Sequence, residues 1–232
     1  MNSPKLTKAY LSVPIVDCAE PLVAIPEELF ILEFPPPYIK LGADYGDASP
    51  YYLRQGVLNA LAQACQNLAI LRPDWQLKIF DAYRPVAVQQ YMVDYTFQEL
   101  LKQKVYPAEV IWQEVYKIWA IPSEDPKSPP PHSTGAAVDL TLVDSQGQDI
   151  DMGGQIDELS DRSQPDYYRN NSKEQKYQIR RDILLNIMTQ AGFRRHPGEW
   201  WHFSLGDQMW TWQHNLENPS QTLIAKYGRI NT

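Results

Sequence analysis

The chain has 232 residues, 44% of them hydrophobic, so about a hundred apolar side chains are available to bury and a single domain over residues 1–232 is expected, with 1–14 and 206–232 as peripheral segments. Acidic residues outnumber basic ones 28 to 21, and the resulting formal charge of −7 disfavours nucleic acid and anionic membrane as partners. No apolar run reaches the roughly 18 residues of a membrane span, and Pro4, Pro14, Asp17, Glu20 and Pro21 interrupt the N-terminal stretch where a secretory leader would lie, so a cytoplasmic protein is expected.

Along the chain, Leu53, Val57, Leu58, Leu61, Cys65, Leu68 and Leu71 recur at three and four residues and predict an amphipathic helix that ends before Pro73. A strand fits Gln76 to Phe80. Helical patterns follow from Val86 to Lys104, behind Pro85, and from Pro107 to Ala120 with Val110, Ile111, Val115 and Ile118 inward. The proline-rich stretch from Pro122 to Pro131 predicts an ordered loop. Ala136 to Val143 alternates as a strand, with Ala136, Val138, Leu140 and Leu142 on one face and Asp139 on the other. Tyr177, Ile183, Leu184, Ile187, Met188 and Ala191 predict a further helix stopped by Gly192, and the aromatic run Arg194 to Leu205 predicts a last strand. The expected class is α+β, with a small, mostly antiparallel central sheet flanked by helices.

Two cysteines, Cys18 and Cys65, are too few for a disulfide framework or a sulfur-based zinc site, so a metal would have to be held by histidines and carboxylates. P-loop, G-x-G-x-x-G, G-x-S-x-G and H-E-x-x-H signatures are absent. Three local clusters remain. His132-Ser133-Thr134-Gly135-Ala136-Ala137-Val138-Asp139 joins a loop histidine to a strand carboxylate through a glycine that permits a tight turn, although a surface histidine and a capping aspartate would look the same. His196-Pro197-Gly198-Glu199-Trp200-Trp201-His202 sets three titratable groups beside two indoles, or is simply an aromatic core strand. On a regular strand Glu199 and His202 would face opposite ways, so both can reach one ion only through a bulge or turn near Pro197-Gly198. Asp81-Ala82-Tyr83-Arg84-Pro85 holds an arginine between a strand end and a helix start, either to bind a carboxylate or a developing oxyanion or as a structural ion pair with Asp81.

Two imidazoles and one carboxylate make a three-ligand zinc set with one position open. Such an ion brings water to a pKa near 7, and a neighbouring carboxylate such as Glu199 can take its proton during attack on an amide, with Arg84 offsetting the charge on the tetrahedral oxygen.

At these residues the sequence resembles the VanX-type D-alanyl-D-alanine dipeptidases, members of the wider group of zinc D,D-peptidases. The resemblance rests on D-A-Y-R-P at Asp81 to Pro85, H-S-x-G-x-A-x-D at His132 to Asp139 and E-W-W-H at Glu199 to His202, and it spans about Ile15 to Leu205. It implies a single zinc ion on His132, Asp139 and His202, Glu199 as catalytic base, Arg84 as the arginine that stabilises the transition state, and a small dipeptide as substrate. Met152-Gly153-Gly154-Gln155-Ile156-Asp157 is similar to the family segment whose aspartate receives the substrate ammonium, which makes Asp157 the substrate-binding candidate. Where relatives commonly carry a serine, two places before the first histidine, this chain has Pro130, with neither hydroxyl nor N–H. His196, close to the expected site in sequence, reads as a solvated turn histidine in preference to a residue that supports the metal ligands, and His214 with Trp210 and Trp212 as packing for a C-terminal segment. The competing functional readings are a D,D-carboxypeptidase or endopeptidase acting on peptidoglycan stems, and a zinc-dependent module that binds peptide termini without turnover. The presence of Glu199 beside the expected ligands argues against the last, because a pure binder needs no base there.

Overall fold

The computed structural model describes residues 8–103 and 107–230. The predicted helix end at Lys104 and the outermost parts of both peripheral segments lie outside that range. After a 3₁₀ turn at Ala9–Ser12 come β1 (Leu22–Ala24), β2 (Ile31–Leu32), a short α1 (Pro37–Lys40), β3 (Tyr52–Arg54) and α2 (Gln55–Leu71). β4 (Trp75–Asp81) leads into α3 (Val86–Lys102) and α4 (Ala108–Ile118), and a 3₁₀ turn at Pro131–Thr134 precedes β5 (Ala137–Asp144). The chain closes with α5 (Gln175–Gln190), β6 (Arg194–Arg195), β7 (His202–Ser204) and α6 (Gln208–Glu217).

The main sheet has the order β2-β4-β5-β7-β6, with only β2 and β4 parallel, and β1 and β3 form a separate antiparallel pair. This is the expected α+β class. One hydrophobic cluster packs Val57, Leu61 and Leu68 of α2 and Leu184, Ile187 and Met188 of α5 against Leu77, Ile79, Val138, Leu140 and Leu142 of the sheet. A second cluster gathers Val88, Met92, Val93 and Phe97 of α3 with Ile111 and Val115 of α4 around Tyr38, Tyr45 and Trp119, and Phe80 packs against it. With cover of this kind, β5 is buried along seven of its eight residues, so the face that carries Asp139 is interior as well.

The periodic helices form where their spacing places them, because a stripe at three and four residues buries one side of a helix and nothing else. In α2 the buried positions are Val57, Leu61, Ala64 and Leu68, whereas Leu53 precedes the helix on β3 and Leu71 is 48% exposed at its end. Arg72 leaves the helical region with φ −144°, as the residue before Pro73 must. The run Arg194–Leu205 is not one strand. It is a hairpin whose two short strands pair Arg194 with Ser204 and Arg195 with Phe203, and residues 196–201 form the connection. Pro197 cannot donate to a ladder, which explains why the strand breaks there. α6, which carries Trp210, Trp212 and His214, has no counterpart among the predicted elements. Among the described residues no helix is long and apolar enough to cross a membrane.

Candidate metal centre and substrate cavity

Asp81, Asp139 and His202 form a row across three neighbouring strands: Asp81 pairs with Asp139 after a register shift at the end of β4, and Asp139 pairs with His202 across β5 and β7. His132 is brought to this row by the 3₁₀ turn before β5. Gly135 closes that turn at φ 68°, in the left-handed region that favours glycine, and a Cβ there would press on the end of the Leu22 side chain. The buried Arg54 pins the turn from outside, donating from its backbone to the Gly135 carbonyl at 2.8 Å and from Nε to the Thr134 carbonyl at 3.0 Å.

His132 Nδ1 lies 2.7 Å from the Ala82 carbonyl, a pure acceptor, so Nδ1 carries the ring proton and Nε2 turns a lone pair inward. That Nε2 is 3.1 Å from His202 Nδ1 and 3.2 Å from Asp139 Oδ2, and His202 Nδ1 is 3.0 Å from Asp139 Oδ1. Electron-rich atoms crowded this closely repel one another unless a shared proton or a metal cation sits among them. Ligands bound tetrahedrally to zinc at 2.0–2.1 Å are separated by about 3.3 Å, close to the three edges found here. Burial holds His202 below the ordinary histidine range, which favours the neutral ring that ligates a metal. Burial would raise Asp139, but the two histidines hold it well below the usual carboxylate range. The donor set fits a zinc ion.

Glu199 stands beside this triangle, in the hairpin connection. Its Oε2 is 3.9 Å from His202 Nδ1 and its Oε1 is 3.5 Å from His196 Nδ1. The turn at Pro197-Gly198 lets Glu199 and His202 approach each other despite their odd spacing. Burial, then the charge of Asp139, pushes the Glu199 carboxyl well above its ordinary value. His196 is not a solvated turn residue: its ring is 5.5 Å from that of His202 and it lines the same cavity. The reason is the hairpin, which the local sequence does not reveal.

Arg84 is buried and tightly committed. Nε and Nη2 donate to Asp81 Oδ2 at 3.1 and 2.8 Å, Nη1 to Gln89 Oε1 at 2.8 Å, and Nη2 to the Tyr38 hydroxyl at 3.0 Å. The guanidinium also lies 3.4 Å from Asp139 and against the rings of Tyr38 and Trp119. The ion pair with Asp81 is present, and Arg84 also lines the cavity.

Asp157 adopts the left-handed region at φ 62° and accepts a hydrogen bond from Tyr38 at 2.8 Å. Burial, then the charge of Asp139, pushes its carboxyl up to about 7. Its loop is fastened by the buried Arg181, which donates to the carbonyls of Met152, Gln164 and Arg162 at 2.8, 2.9 and 2.8 Å. Tyr38, Gln89, Trp119 and Lys8 also line the cavity, and no motif pointed to them. Pro130 is buried, its carbonyl accepts the Ser133 N–H at 3.0 Å, and Pro131 rather than Pro130 lines the cavity.

A family model described as D-ala-D-ala dipeptidase matches residues 33–220. A D-alanyl-D-alanine dipeptidase of Synechocystis sp. is 52% identical over 239 residues, covering 96% of this chain and 97% of that protein. The D-alanyl-D-alanine dipeptidase of Escherichia coli is 34% identical over 140 residues, covering 56% of this chain and 55% of that protein. Among solved structures, a vancomycin resistance D,D-pentapeptidase VanY in complex with Zn(II) is similar with a TM-score of 0.48 at 14% identity, covering 93% of this chain and 97% of that one.

Proposed function

The chain belongs to the D-ala-D-ala dipeptidase family of metallopeptidases, and from that premise we propose that it hydrolyses the free dipeptide D-Ala-D-Ala to D-alanine, acting as one domain with one zinc ion per chain. His132, Asp139 and His202 hold the ion, Glu199 is the base, Arg84 stabilises the tetrahedral oxygen and Asp157 receives the substrate ammonium. The observation that carries this reading is the triangle of three buried ligand atoms, all within 4.8 Å of one another, with Glu199 at its edge.

Bound zinc supplies Lewis acidity, polarising the scissile carbonyl and acidifying water. Everything else is done by the chain itself. Glu199 takes a proton from the attacking water and returns it to the leaving amine; its raised pKa brings a carboxylate closer to the proton affinity that both steps need. Arg84 needs no rearrangement during the reaction, because Asp81, Gln89 and Tyr38 already hold it in place. Asp157 favours dipeptides over longer chains, since an interior residue has no ammonium to offer a carboxylate taken out of water.

The test is D-alanine release from D-Ala-D-Ala and from its N-acetyl derivative by the zinc-loaded chain, alongside Glu199→Gln. We expect rapid release from the free dipeptide, poor release from the blocked one, and a loss of about 10²–10⁴-fold in kcat for Glu199→Gln with zinc content unchanged. Equal turnover of the blocked peptide would favour a carboxypeptidase, and an unaltered kcat for Glu199→Gln would remove its role as base.

A further inference from the structure

Lys8 enters the cavity from a segment outside every motif discussed above. The segment is held down by Gln208, whose Nε2 donates to the carbonyls of Val13, Lys127 and Leu11 at 2.7, 2.9 and 3.3 Å, and by Tyr10, which is buried beneath it. The stretch from Lys8 to Val13 therefore forms a built wall rather than a trailing end. The Lys8 ammonium lines the cavity with one neutral partner, the Trp119 carbonyl at 3.3 Å, and no carboxylate of the described residues lies within 4.0 Å of it. Lys8 is half-buried, and Glu199 is near enough to act on it electrostatically without pairing with it directly. The other cation in the cavity, Arg84, pairs with Asp81 and is assigned above to the tetrahedral oxygen.

A free dipeptide carries one ammonium and one carboxylate. The cavity offers Asp157 for the first, and among its described residues only Lys8 is an uncommitted cation for the second. We propose that Lys8 binds the C-terminal carboxylate of the substrate and so sets specificity for a free C-terminus, an assignment that rests on the dipeptidase reading above. Burial lowers the Lys8 pKa while the nearby Glu199 raises it, as expected of an ammonium waiting for an anion. The carboxylate replaces water around Lys8, and an amide in its place leaves the charge unpaired.

The experiment compares D-Ala-D-Ala with its C-terminal amide on the zinc-loaded chain and on Lys8→Met and Lys8→Arg, with thermal melting to verify folding. Calorimetric titration of both compounds into the metal-free chain gives a readout independent of turnover. We expect the unmodified chain to prefer the free acid in KM and in binding by roughly tenfold or more. Lys8→Met should erase that preference by raising the KM of the acid while kcat changes by only a few-fold, and Lys8→Arg should keep part of it. Retention of the acid preference in Lys8→Met overturns the proposal. So does a fall in kcat at unchanged KM, which would mean that Lys8 acts through Glu199. If the unmodified chain fails to cleave the dipeptide yet binds acid over amide in a Lys8-dependent way, the dipeptidase reading falls and the carboxylate site stands.

Discussion

Asp139 and His202, 63 residues apart in the chain, are directly opposed across the β5–β7 ladder, and this pairing brings the His202 Nδ1 to 3.0 Å from the carboxylate. A slip of one residue would turn His202 to the other face of the sheet and dissolve the triangle with His132. The site is therefore a property of strand register, and register is protected by the cores on either side of the sheet.

Arg84 cannot be replaced by lysine, which is a point charge and would lose the paired N–H contacts to Asp81 together with those to Gln89 and Tyr38. Arg84→Lys is expected to lower kcat by about 10²–10³-fold with zinc content intact. Arg84→Met should in addition lower the unfolding free energy by about 3–5 kcal/mol, because Asp81 is left fully buried without its partner. Steady-state kinetics and urea unfolding measure the two effects, and normal turnover by Arg84→Lys would remove the arginine from the reaction.

Substrate affinity should depend on the ionisation of Asp157. With its pKa raised to about 7, this carboxyl becomes neutral as pH falls through that value and loses its attraction for an ammonium. A cation on Asp139 would cancel one of the causes of the rise, so the transition in the metal-loaded chain should lie below 7. KM is expected to increase toward acid pH in the unmodified chain and to be high and flat in Asp157→Asn. Parallel profiles for the two chains between pH 5 and 8 would exclude Asp157 as the ammonium site.

Asp207 should make stability fall with rising pH. It caps α6, accepting the Trp210 N–H at 2.8 Å and the Ser204 hydroxyl at 2.9 Å, while burial pushes its pKa up to about 6. A carboxyl whose folded pKa exceeds its unfolded value contributes stability in full below the unfolded pKa and loses it as pH rises through the folded one. The difference of about two units is worth on the order of 2–3 kcal/mol. Asp207→Asn keeps an accepting oxygen at the cap but cannot ionise, so it should lack this slope between pH 4 and 7. Urea unfolding at both ends of that window decides the matter, and identical slopes would refute it.

The sequence by itself determined the chemistry of the donors and the existence of the long elements. Two histidines, a spaced aspartate and a neighbouring glutamate define what can ligate and what can accept a proton whatever the fold. The stripe of α2 and the alternation of β5 likewise report which side of each element is apolar, because periodicity is local. Only the tertiary structure decided which faces meet. Nothing near Tyr38 indicates that its hydroxyl will hold Asp157 from 119 residues away, and nothing near Lys8 indicates that its ammonium will rest on the Trp119 carbonyl. The stretch from Arg194 to Leu205 has the composition of a strand but folds as a hairpin, and that hairpin carries Glu199 and His196 to the site. Pairing of this kind is chosen by the burial and hydrogen bonding of the whole sheet in competition with other registers, a free-energy balance that no single segment contains.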